Sequence, residues 1–436
     1  MSYLKYVKHR PIWHRLFVGM MVIYSVLAAR LEAQDGLPID LIPNDAQLRL
    51  ALAKQPRLAA SEARLQSQRQ EAILRRLGPY ETVIAVGQQY RRPRNLAEGS
   101  SSDTMIGIER GLRLWGKESL DKAWADVIEA RAQAEQALVV FEMHQQFFES
   151  WRGFLRELLA EESARRSAAS SEALWLQAQA RRRLGDLAQI DEQTAKAEQL
   201  QAFADLLEAS AKKSAKIEQL SRRYPSLNYD RRLPTNSGQW LELLNNQFDL
   251  PRDVALAEQL LIERSPLVLA ARLQAQAFGL QAKRADLDRR PDPTLGSYVS
   301  QERSGAERLI GVQLSIPIEG PQRAVSARLA SQQTEEALNF TEELMLALQS
   351  DLRARLRSFH QGSEALKHRW EAYRLQDEAA ARSLRGFSLG ERTLAEVLQA
   401  RRIADTQYVQ ALSQSLELFL LKTSLEIDLG MRWAKP

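Results

Sequence analysis

The chain has 436 residues, 26% of them charged, no cysteine and a net charge of +5 at pH 7. Such a length suits two or three ordinary domains. The charge density excludes a polytopic helical membrane protein, and the missing cysteine excludes disulfides, cysteine-based metal sites and a cysteine nucleophile. Residues 1–33 carry five Lys/Arg and one Glu, so they hold four of the five net positive charges, and the basic balance argues for no nucleic-acid partner.

Residues 1–33 read as a signal peptide. Lys5, Lys8, Arg10 and Arg15 form a basic start, and 16–29 is an apolar run that is short for a membrane span. After an irregular stretch, a helical pattern covers 45–77 with Pro56 at an early break, and Gly78-Pro79 ends it. Period-two alternation then predicts strands at 82–92 and 104–115, separated by a polar loop over 93–103. In the second strand Ile106, Ile108, Leu112 and Leu114 share a face, which Arg110 interrupts; Gly107, Glu109, Gly111 and Arg113 share the other. A helical pattern runs from 118 to 183, on the order of 100 Å at 1.5 Å per residue. A turn at 184–188 (Leu184, Gly185, Asp186) leads into a second helix that ends near 223. Prolines at 225, 234 and 251 then mark 224–254 as a linker or a small equatorial segment.

The sequence begins again over 255–430. A helix is followed by predicted strands at 294–303 and 307–318, a long helix, a turn at 386–393 and a last helix, with a tail at 431–436. Ile310-Gly311-Val312 answers Ile106-Gly107-Ile108 at a spacing of 204, and Gly390 answers Gly185 at a spacing of 205. The chain therefore holds two modules, 34–223 and 255–430, and is a duplication and not a solenoid. At the second turn Leu389, Gly390 and Glu391 stop one helix, and Thr393 with Glu396 makes a capping box for the next.

The strands have bilayer-crossing length, with Ile310, Val312, Leu314 and Ile316 on one face. Alternation of this kind also suits a half-buried sheet in a soluble domain; as a membrane barrel, four strands could close only if several chains each contribute four, since an open edge cannot face lipid. His144, His360 and His368 lack metal-ligand spacing. No phosphate-cradling glycine loop or nucleophile elbow is present. The sequence reads as no enzyme and calls for no cofactor.

The repeat order, the proline before each first strand, the two glycine turns and the last helix (Gly390, Arg392, Thr393, Val397-Leu398, Ala400, Leu412, Leu429-Gly430) together resemble the TolC family of outer-membrane efflux and secretion channels. The likeness spans about 45–430 and extends to the heavy-metal efflux branch. It implies a mainly α fold with a small β part: a homotrimer whose duplicated helical hairpins form a periplasmic tunnel below a twelve-stranded outer-membrane barrel. It further implies a passive duct coupled to an inner-membrane pump of the RND type through a periplasmic adaptor. On that resemblance Arg392 and Asp191 form a gate pair and Glu396 belongs to an acidic ring. Phe387 stands where other members carry tyrosine, Leu184 to Asp186 and Leu389 to Glu391 contact the adaptor, and Ile106, Ile108, Leu112, Leu114, Ile310, Val312, Leu314 and Ile316 face lipid. The rival reading is an exported coiled-coil scaffold or adaptor without a pore, which has no use for an apolar strand face.

Overall fold

The computed structural model describes residues 40–92, 99–245 and 250–433. The predicted signal peptide, part of the 93–103 loop, part of the equatorial segment and the last three residues of the tail lie outside the described residues.

The described chain is helical apart from one small sheet. The elements of the first half are α1 (Asp45–Ala53), α2 (Pro56–Leu77), β1 (Thr82–Arg91), β2 (Ser101–Gly111), α3 (Lys117–Arg183) and α4 (Gln189–Arg223). Two short helices follow, α5 (Ser237–Asn245) and α6 (Val254–Arg264). The second half repeats the first as α7 (Pro266–Leu287), β3 (Thr294–Glu302), β4 (Glu307–Ser315), α8 (Pro321–Ser388) and α9 (Leu394–Asp428). The duplication is exact enough to count: α2 and α7 both have 22 residues, α4 and α9 both have 35, and α3 and α8 have 67 and 68. Proline opens α2, α7 and α8, where its missing N–H costs no helical bond. Pro56 therefore does not interrupt one helix but divides two, with Lys54 capping α1.

The helices pack in a single row. α3 lies between α2 and α4 on one side and α7 and α9 on the other, and α8 packs on α7 and α9. The long α3 and α8 thus run the length of the wall, while α2/α4 and α7/α9 follow one another end to end. The largest core sits at mid-height. Phe147, Trp151 and Phe154 of α3 meet Tyr224, Trp240, Leu41 and Ile42, with Leu412 and Phe419 of α9. The Trp151 indole donates to the Leu41 carbonyl at 2.8 Å and that of Trp240 to Pro234 at 3.0 Å, so the polar atoms of both buried rings are satisfied. The 224–254 segment is held against the wall by its own Tyr224, Leu227, Leu233 and Trp240.

The sheet is antiparallel throughout in the order β1-β2-β3-β4, with β1 and β4 as free edges. β2 differs from its predicted bounds at both ends. At the upper end Ser101 pairs with Arg91 and Ser102 with Tyr90. Asp103 accepts from the Arg91 guanidinium at 2.9 Å and from the Arg303 amide at 2.9 Å. These cross-strand bonds draw polar residues into a strand that patterning had assigned to the loop. At the lower end the chain leaves the sheet after Gly111, because Arg113 reaches back to donate to the Arg76 and Leu77 carbonyls that end α2. A guanidinium there satisfies orphan carbonyls and complements the helix dipole. β4 likewise stops at Ser315, two residues before Pro317, which has no N–H for a ladder.

Candidate functional site

Two regions carry the chemistry, at opposite ends of the wall. At one end the strand register sorts the sheet into two unlike faces. Directly paired residues share a face. One face is built from the rows Ile84, Ile108, Ser297, Val312 and Val86, Ile106, Val299, Ile310, followed by Thr82, Arg110, Leu295, Leu314. Ile84, Val86, Ile310 and Val312 are 70–84% exposed, and no helix covers them. Arg110 interrupts this face, as its place in the alternation required. Leu112 and Leu114, together with Ile316, lie past the ends of β2 and β4; Leu114 and Ile316 remain exposed, while Leu112 is half-buried.

The opposite face is narrow. Its central row is Ala85, Gly107, Tyr298, Gly311. The Tyr298 ring lies over Gly311, and its Cβ stands beside Gly107. A Cβ on Gly311 would stand 2.5 Å from the phenol ring, and one on Gly107 would stand 3.3 Å from the tyrosine Cβ. Small residues thus make room for one aromatic ring on the side away from the aliphatic face.

The sheet is fixed to the wall by buried charges. Lys117, at 1% exposure, lies 3.0 Å from Asp292 and 3.3 Å from Asp288 and donates to the Arg290 carbonyl at 2.7 Å. Asp292 also accepts from the Tyr80 hydroxyl at 2.6 Å and from the Leu114 amide at 3.2 Å. Beside them Arg284 reaches Asp121 at 3.0 Å. The sequence reading missed this group; its signal was the Lys117 and Asp292 pair flanking the two strand-and-helix junctions.

At the far end the two turns have the same construction. Gly185 and Gly390 both have φ of +82°, a conformation that disfavours a side chain. The Gly185 amide bonds the Arg182 carbonyl and that of Asp186 the Arg181 carbonyl. Gly390 and Glu391 do the same to Phe387 and Gly386. These are Schellman endings, which satisfy the last carbonyls of α3 and α8. They leave Leu184 and Leu389 protruding, 76% and 74% exposed.

Behind the turns, Phe387 is fully buried among Leu174, Ala178, Ala195, Leu394 and Val397, so it belongs to the core of the tip. Arg181 covers it, with the guanidinium 4.6 Å from the ring centre. The same guanidinium donates to the Phe387 carbonyl at 2.7 Å and the Asp186 carbonyl at 3.2 Å, which joins one turn to the other. In the sequence Arg181 is one of three successive arginines, and no local rule marks it out.

The capping box of α9 is formed. The Glu396 carboxylate accepts from the Thr393 amide at 2.8 Å and from Arg392 at 3.0 Å. The Thr393 amide first, and Arg392 after it, hold this carboxyl below the usual range. Arg392 and Asp191 are not brought together within one chain. Arg392 lies on Glu396, and among the described residues Asp191, in the first turn of α4, makes no ion pair.

No protein-family model matches the sequence, and no curated protein does. Solved structures do. The outer-membrane protein VceC of Vibrio cholerae superposes with a TM-score of 0.70 at 16% identity, over 89% of this chain and 96% of its own. The fold is that of the outer-membrane channels. The CmeC outer-membrane channel of Campylobacter jejuni gives a TM-score of 0.68 at 11% identity, over 90% and 86% of the two chains. The open MtrE outer-membrane channel of Neisseria gonorrhoeae gives 0.65 at 15%, over 90% of each. The channel fold thus covers 89–90% of this chain, as the TolC resemblance implied.

Proposed function

We propose that the chain is the outer-membrane channel of a tripartite export system: a homotrimer that acts as a passive exit duct. The observation that carries this reading is the sheet. It bears an uncovered aliphatic face and two unpaired edges, and such a sheet is stable in lipid only when copies close it into a barrel. Three copies supply twelve strands, with the Tyr298 face lining the inside. The helical wall then lies in the periplasm as a tunnel. Its turns, with exposed Leu184 and Leu389, meet a periplasmic adaptor, and an inner-membrane pump of the RND type supplies the energy. Arg392 of one hairpin and Asp191 of another pair across the closed tip between neighbouring copies.

The test is the state of the mature protein purified in detergent. A trimer that conducts ions in planar bilayers is expected. A stable, water-soluble monomer would overturn the reading.

A further inference from the structure

The wall is broken once along its inner row. α9 ends at Asp428, where Gly430, at φ +62°, closes it, and α7 begins only at Pro266. Beside this break a cavity of about 860 Å³ lies between α3, α8 and α9. It runs along α9 from Gln414 to Asp428, about 20 Å at 1.5 Å per residue. Its middle is apolar, walled by Phe148 of α3, Leu348 of α8 and Leu418 and Leu421 of α9.

Its charges do not balance. Glu149, Asp351, Glu417 and Asp428 line it against Arg152 and Arg355 alone. At one end Asp428 and Asp351 share a single guanidinium, each 2.7 Å from Arg355. Burial raises the Asp428 carboxyl above its usual range, and the nearby Asp351 adds to this against the pull of Arg355. At the other end Glu417 is matched by Arg152 at 3.1 Å and Arg156 at 2.9 Å. One negative charge is left over, at the Asp428 end. An occupant therefore needs a positive charge and an apolar body.

We infer that this slot binds an amphipathic protonated amine. The ammonium group sits beside Asp351 and Asp428, and the apolar body lies against Phe148, Leu348 and Leu421. The site lies within the wall of one chain, far from the terminal turns, so its occupancy can fail while the channel reading stands.

The probe is rhodamine 6G, a cationic dye with N–H groups and an ester, titrated into the full chain in detergent and followed by fluorescence anisotropy. Fluorescein, an anion, serves as the charge control for partition into micelles. Saturable binding of one dye per chain is expected, with no such binding of fluorescein. Asp428→Asn should weaken it about tenfold, the scale of a bond to a charged group. Leu421→Trp, which fills the apolar middle from α9, should abolish it, and Leu348→Trp, which fills it from α8, provides the same test if the first variant loses its helicity. Absence of saturable binding by the wild type, or equal affinity in Asp428→Asn and a folded tryptophan variant, would overturn the proposal.

Discussion

The Arg181 guanidinium stands 4.6 Å from the centre of the Phe387 ring and donates to the carbonyl oxygen of the same residue at 2.7 Å. One side chain from the end of α3 thus holds the end of α8 by its face and by its backbone. A stacked cation contributes about 0.5–1 kcal/mol at a partly exposed site, and a bond from a charged donor contributes about 1.5–3 kcal/mol. Arg181→Ala should therefore loosen the two turns from one another without unfolding the wall. Amide hydrogen exchange should rise around Ser388 to Glu391 and stay unchanged around Trp151. Unaltered exchange at the turn would show that the apolar cluster around Phe387 holds the tip unaided.

The gate pair makes a separate prediction. Within one chain Arg392 is engaged by Glu396, so a bond to Asp191 of a neighbour competes with an existing contact. Such exposed pairs contribute about 0–1 kcal/mol each. Arg392→Ser and Asp191→Ala should each raise single-channel conductance, and the double variant should add less than the sum. If both single variants conduct like the wild type, the closed tip relies on other contacts.

The aliphatic face of the sheet is open to a direct test. Leu314 shares its row with Leu295 and Arg110. Placing arginine at a lipid-facing strand position costs about 2–4 kcal/mol if it lies near mid-membrane and about 0–1 kcal/mol near an interface. Leu314→Arg should reduce trimer recovered from membranes, whereas Gln313→Arg, on the opposite face, should be tolerated. Equal yields would mean that the face is assigned wrongly.

Stability should fall in acid through His144. This ring is buried beside Trp433, with centroids 5.6 Å apart. Burial pushes its pKa down to about 4, against a weaker opposing effect from Asp45. The folded pKa lies below the unfolded value, so the stability linked to this neutral histidine is full above about pH 6.5. It is lost progressively as pH falls towards 4. A shift of that size corresponds to about 3 kcal/mol per chain. Thermal melting should show the loss over that window, and His144→Gln should flatten the profile. The same slope in the variant would assign the acid sensitivity to other groups.

The sequence determined the duplicated order of elements, the two glycine turns, the Thr393–Glu396 cap and the aliphatic alternation at Ile106, Ile108, Ile310 and Val312. Each of these depends on a local rule: a 3.6 or 2 residue period, a positive φ at glycine, or a side chain that reaches three residues along the backbone. Only the tertiary structure decided the rest, because it depends on contacts between different elements, some of them about two hundred positions apart. The bounds of β2 were set by Arg91, Asp103 and the reach of Arg113 to α2, none of which has a period. The role of Arg181 required α3 and α8 to end side by side, and the charge group at Lys117 required both strand-and-helix junctions to meet. The resemblance sets Phe387 among the gate residues, while by local pattern it is one more apolar residue beside a turn. Its burial follows from the packing of Leu174, Ala195 and Val397 around it, a relation between four helices that a single helix cannot express.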